Sequence, residues 1–213
     1  MSHTRSSESV TAAGHLRQTG RLPNARWCPS PNFGSRPEGA DISLLVVHNI
    51  SLPPGEFGGP HIERFFQNCL NPADHPYFET IADMQVSAHA LIRRDGSILQ
   101  FVSLLDRAWH AGRSCFDGQE ECNDFSIGIE LEGADDIPYT DNQYEVLASL
   151  AALISEAWPA VRRERIAGHS DIAPGRKTDP GEAFDWSRFL ALYDQRALAI
   201  DPTVTLSRNE DVE

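Results

Sequence analysis

Residues 168–181, GHSDIAPGRKTDPG, gather groups able to do chemistry: one His, two Asp and a Lys. Three Gly, two Pro and no helical or strand period make the stretch a loop. Lys177 is the only lysine of the chain, and the other 17 basic residues are Arg. Two His and one carboxylate are the usual ligands of a catalytic zinc, which keeps one position open for water. His169 and Asp179 stand ten residues apart in this loop, and His48 lies at the end of an apolar run far upstream. Such a set would take two ligands from neighbouring strand ends or loops and a third from a long loop, unlike a compact HExxH helix. Spacing alone leaves the plainer alternative open, because a lone His is most often a hydrogen-bonded core or surface residue. His61, His75, His89 and His110 receive that reading.

A metal-assisted hydrolysis also needs a proton carrier. In SIGIELEG (126–133), Ile127, Ile129 and Leu131 face one way, and Gly128, Glu130 and Glu132 face the other. A carboxylate among buried strands is costly unless it is paired or working. Either Glu suits a general base beside an activated water, and the pattern equally suits solvated acids on an open face. Lys177 suits the charge that grows on a carbonyl oxygen under attack. Its ammonium is a compact point charge on a flexible stem, whereas Arg offers a planar fork.

These residues need strands to hold them. SLLVVHNI (43–50) is a nearly continuous apolar run, the mark of a strand buried on both faces. VSAHALIRRDGSILQFV (86–102) holds two β-type runs around Arg94-Asp95-Gly96, a hairpin signal. RIAG, just before His169, reads as another strand. Thr140 to Gln143 makes a T-x-x-Q capping box, and the helix YEVLASLAALISEAW runs on until Pro159. Asp185 caps a last helix, and a shorter one covers about 61–70. The class is therefore α/β: a single domain with a central mixed sheet flanked by helices. It is expected over 21–198, with a disordered leader at 1–20 and a flexible tail at 199–213.

The chain has 213 residues and a net charge of -13. That balance opposes nucleic acid and anionic membrane as partners, since both require clustered Lys and Arg. No apolar stretch is long enough to span a bilayer, and the N-terminus lacks the apolar core of a secretion signal. Cys28, Cys69, Cys115 and Cys122 show no CxxC pair or zinc-ribbon spacing, so free thiols and a cytoplasmic setting are expected.

LLVVHNISLPPGEFGG, HPYF, VSAHALIRRDG, RAWHAG, CNDFSIGIELEG, YTDNQY and GHSDIAPGRKTDPGEAFDW follow one another in a recognisable order and spacing. From about Trp27 to about Leu192 the sequence resembles the zinc-dependent N-acetylmuramoyl-L-alanine amidases of the AmpD type, which are related to peptidoglycan recognition proteins. The resemblance implies one zinc held by His48, His169 and Asp179. It implies Glu130, rather than Glu132, as the proton-transferring carboxylate and Lys177 as the oxyanion stabiliser. It also implies a 1,6-anhydro-muropeptide substrate, cut between N-acetylmuramic acid and L-alanine during cytoplasmic cell-wall recycling. Control of β-lactamase induction follows, because such muropeptides act as inducers. Weaker candidates for holding the substrate are Asn49, Tyr77, Arg107, Trp109 and Arg176. Two other functions remain: a non-catalytic peptidoglycan-binding module of the same fold, and a zinc amidase for small acyl-amino acids. The last requires a small closed pocket.

Overall fold

The apolar run at 44–50 forms a strand with a parallel neighbour on each side, so neither face offers water a polar alternation. The structure, a computed structural model, describes residues 11–200. In chain order its strands are β1 (Arg26–Trp27), β2 (Phe33–Gly34), β3 (Leu44–Ile50), β4 (Ala90–Ile92), β5 (Ile98–Gln100), β6 (Arg107–Ala108), β7 (Cys115–Phe116), β8 (Gln119–Glu120), β9 (Ser126–Glu132) and β10 (Ile166–Gly168). The helices are α1 (Ala12–Thr19), α2 (His61–Phe66), α3 (Asp141–Ala157), α4 (His169–Ile172) and α5 (Trp186–Ile200). Six strands form one sheet in the order β1-β5-β4-β9-β3-β10. β4 and β5, joined through Arg94-Asp95-Gly96, are antiparallel, and every other neighbouring pair in this sheet is parallel. The sheet is mixed, as the hairpin signal requires. A second small pair joins β2 to β6, and β7 with β8 folds the acidic 115–122 stretch into a hairpin.

The two faces of the sheet carry different loads. Leu45 and Val47 of β3, with Ile127, Ile129 and Leu131 of β9, join the main core beneath α3, which also takes in Leu16 of α1 and Phe189 and Tyr193 of α5. The intervening residues Leu44 and Val46 enter a separate cluster with Ala167 and Ile172. A third cluster of Ile62, Phe65, Phe66, Leu91, Leu99 and Phe101 lies under α2. His48 shares its parity with Leu44 and Val46, and Glu130 with Gly128. The site therefore opens on the face away from α3.

The capping box of α3 is present as expected: Thr140 Oγ1 accepts from the Gln143 amide, and Gln143 Oε1 accepts from the Thr140 amide. The buried Gln143 also donates through Nε2 to the Glu132 carbonyl at 3.0 Å, tying the helix start to the end of β9. Asp185 caps α5 by accepting from the Arg188 amide. The helix expected over 61–70 is shorter, ending at Phe66.

The leader expected at 1–20 is corrected where the structure describes it. Residues 12–19 form α1, capped by Thr11, with Leu16 wholly buried against the main core. The Gly20 carbonyl then accepts from the Leu104 amide and from Gln100 Nε2, which stitches the end of α1 to the sheet side of the molecule. Packed chain thus begins well before Arg21. At the other end α5 runs to Ile200, past the expected start of the tail at 199. Residues 1–10 and 201–213 lie outside the described residues, and with them the rest of both expected tails. No described helix is long and apolar enough to cross a membrane. All four cysteines are free, with Cys28 and Cys122 buried and Cys69 and Cys115 exposed.

Candidate metal centre and active-site cleft

Register builds the site. In the parallel pair of β3 and β9, His48 stands opposite Glu130. In the pair of β3 and β10, Gly168 stands opposite Val47, and the next residue after β10 is His169. Three carboxyl-terminal strand ends therefore deliver His48, Glu130 and His169 side by side, the usual place for a ligand in an open α/β sheet. The loop after α4 returns through a hydrogen bond from the Ser170 amide to the Asp179 carbonyl, which brings Asp179 back beside His169.

His48 Nδ1, His169 Nδ1 and Asp179 Oδ2 lie 3.0 Å from one another, and all three side chains are largely buried. Two imidazole nitrogens and one carboxylate oxygen, converging on one side and leaving the other open, suit a catalytic zinc site. The protonation states suit it too. Burial lowers His48 to about 4, against the pull of Asp179, so its imidazole is neutral and able to ligate. Burial opposes the charge on Asp179, but hydrogen bonds to His169 and His48 outweigh it and hold this carboxyl well below the usual carboxylate range. The outer ring nitrogens are occupied as well: His169 Nε2 lies 3.0 Å from the Ala111 carbonyl, and His48 Nε2 lies 2.9 Å from His110 Nδ1.

Glu130 is 8% exposed, and its Oε2 has no hydrogen-bond partner among the described residues. Burial pushes its carboxyl well above the usual range; the Asp179 charge adds to this, and Lys177 opposes it. A cation among the three ligands would act in the same direction as Lys177, because a bound ion is the largest local charge. Glu132, two residues on, is spoken for. It pairs with Arg93 at 2.9 Å and accepts from the amides of Gly58 and Arg94. The environment thus separates two acids that alternation alone left equivalent.

The three ligands, Glu130 and Lys177 border a cleft of about 610 Å³. Trp109, Phe65, Phe66 and Ile81 line it, and Tyr77 and Met84, 40% and 48% exposed, stand at its rim. Lys177 is exposed and has no ion pair among the described residues; Asp171, which might have held it, accepts the Gly168 amide instead. Asn49 lines the cleft, but its Nδ2 is spent on Asp135 Oδ1 and the Pro180 carbonyl, so it orients the walls. Arg176 also lines the cleft while its guanidinium ties the Ala111 and Arg113 carbonyls. Arg107 is corrected: it does not line the cleft, because Asp124 and Glu121 take its guanidinium. The sequence reading missed His110 and Asn123, which hold the surroundings of the ligands. The available signal was Gly128. A glycine inside a strand marks close approach, and a Cβ there would lie 2.5 Å from the His110 ring.

Residues 38–182 match the family model described as N-acetylmuramoyl-L-alanine amidase. The chain belongs to the N-acetylmuramoyl-L-alanine amidase family. Within that family it is 55% identical over 180 residues to the 1,6-anhydro-N-acetylmuramyl-L-alanine amidase AmpD of Escherichia coli (strain K12), covering 84% of this chain and 98% of the relative. A crystal structure of a selenomethionine derivative of AmpD matches with a TM-score of 0.79 at 57% identity, over 81% of this chain and 96% of that one. The amidase AmiD from E. coli, solved in complex with the substrate anhydro-N-acetylmuramic acid-L-Ala-D-gamma-Glu-L-Lys, matches at 29% identity with a TM-score of 0.53. That match covers 73% of this chain and 59% of AmiD.

Proposed function

We propose that this amidase hydrolyses the bond between the lactyl group of 1,6-anhydro-N-acetylmuramic acid and L-alanine, with one zinc held by His48, His169 and Asp179. The observation that carries the reading is a buried carboxylate oxygen, Glu130 Oε2, left without a partner on the strand next to three converging ligand atoms. A buried polar atom without a partner is rare and costly, and a catalytic role is one of the few reasons to keep it. Zinc bound there would supply Lewis acidity toward water and toward a carbonyl oxygen.

The chain's own residues then divide the work. Glu130 takes a proton from the attacking water and returns it to the alanine nitrogen as the amide bond breaks. Lys177, exposed and without an ion pair among the described residues, meets the charge growing on the carbonyl oxygen. Trp109 and Tyr77 offer flat faces to the sugar or peptide along the cleft. A cleft of about 610 Å³ fits a muropeptide better than it fits a small acyl-amino acid. The free cysteines agree with a reducing, cytoplasmic setting. Cleavage there would remove muropeptides that induce β-lactamase.

Digestion of purified anhydro-muropeptides, followed by mass spectrometry, tests the reading. Release of free stem peptide by the wild-type chain, and its loss in Glu130→Gln, is the expected result. Intact muropeptides that co-purify with wild type would instead make the chain a binding module.

A further inference from the structure

Both ligand imidazoles lean on a single dipeptide, His110–Ala111. The Ala111 carbonyl can only accept, so His169 Nε2 carries the hydrogen of that 3.0 Å bond and His169 Nδ1 keeps its lone pair toward Asp179. The same logic passes through one more ring at His48. Its Nδ1 faces Asp179 and His169, so its Nε2 is the donor to His110 Nδ1 at 2.9 Å. His110 Nδ1 is then the acceptor, and His110 Nε2 donates to Ser126 Oγ at 3.1 Å. The His110 ring stands edge-on to His48, with centroids 4.9 Å apart and planes at 84°, and rests on Gly128. The dipeptide is itself pinned: Asn123 Oδ1 accepts from the His110 amide at 3.1 Å and from the Ala111 amide at 2.8 Å.

We propose that His110–Ala111, pinned by Asn123, is the positioning element of the metal centre, and that His110 sets both the tautomer and the ring angle of His48. This rests on the zinc reading above. Metal-bound His commonly donates its second nitrogen to a fixed acceptor, and losing that acceptor costs on the order of 10–100-fold in metal affinity. An imidazole serves as that acceptor here, which is why residue 110 needs a nitrogen or oxygen at the Nδ1 position and not merely bulk.

Titration of zinc against a chromophoric chelator, on wild type and two variants, tests this. His110→Leu fills the space without an acceptor, and its zinc Kd should rise on the order of 10–100-fold. His110→Asn can place an amide oxygen near the old Nδ1, and should recover most of the affinity. The urea midpoints of the metal-free proteins serve as the control, because a merely space-filling role would move them and leave Asn no better than Leu. Wild-type zinc affinity in folded His110→Leu overturns the proposal. If that variant does not fold, an unchanged Kd in Ser126→Ala, which frees the His110 tautomer, overturns it instead. A wild-type chain that holds no zinc overturns the zinc reading and this proposal together.

Discussion

At Glu130 one carboxylate oxygen is buried without a partner among the described residues, whereas Glu132 is satisfied by Arg93 and two backbone amides. Glu130→Gln should therefore leave zinc bound and lower turnover on the order of 10²–10⁴-fold, as read by steady-state kinetics with metal analysis. Glu132→Gln should do the reverse. It leaves the Arg93 guanidinium facing a neutral amide, so thermal stability should fall while turnover stays well above that of Glu130→Gln. At Lys177 the lost contact belongs to the transition state. Lys177→Ala should lower kcat on the order of 10²–10³-fold with KM little changed, and Lys177→Arg should recover only part. Full turnover in Lys177→Arg would remove it from the mechanism. Residue type and position in the motifs pointed to the ligands, Glu130 and Lys177. They failed at Arg107, whose partners Asp124 and Glu121 arrive from 14 or more residues away, a pairing no local pattern displays.

α3 begins with a reciprocal cap that also reaches the sheet. Thr140 Oγ1 accepts from the Gln143 amide and donates to the Arg94 carbonyl, while Gln143 reaches the Glu132 carbonyl. Thr140→Ala should cost about 1 kcal/mol, the usual loss for an N-cap, visible as a lower urea midpoint with kcat unchanged. This box, the apolar run of β3, the alternation of β9 and the Asp-Gly turn were all legible because each is written in consecutive residues. α1 was not. Only Ala13 and Leu16 of its residues are buried, too few to stand out as an amphipathic stripe, and much of its anchoring runs through the Gly20 carbonyl, which no side chain announces. RAWHAG was opaque for a similar reason: Ala111 acts through its carbonyl, and His110 acts on a residue 62 positions upstream in the sequence.

For the molecule as a whole, the three apolar clusters are built without the metal ligands. Chelation should then remove activity while far-UV circular dichroism stays unchanged, and the melting temperature should fall only by the amount that ligand binding contributes. Collapse of the dichroism on chelation would mark a structural metal instead. One property of the composition has a practical side. With 17 Arg and one Lys, nearly every positive charge on this molecule is inert to acylating reagents. The sole side-chain amine stands exposed at the mouth of the cleft. A mild amine-directed label should thus mark the cleft and the chain's α-amino group and nothing else, giving a covalent active-site count without an engineered handle.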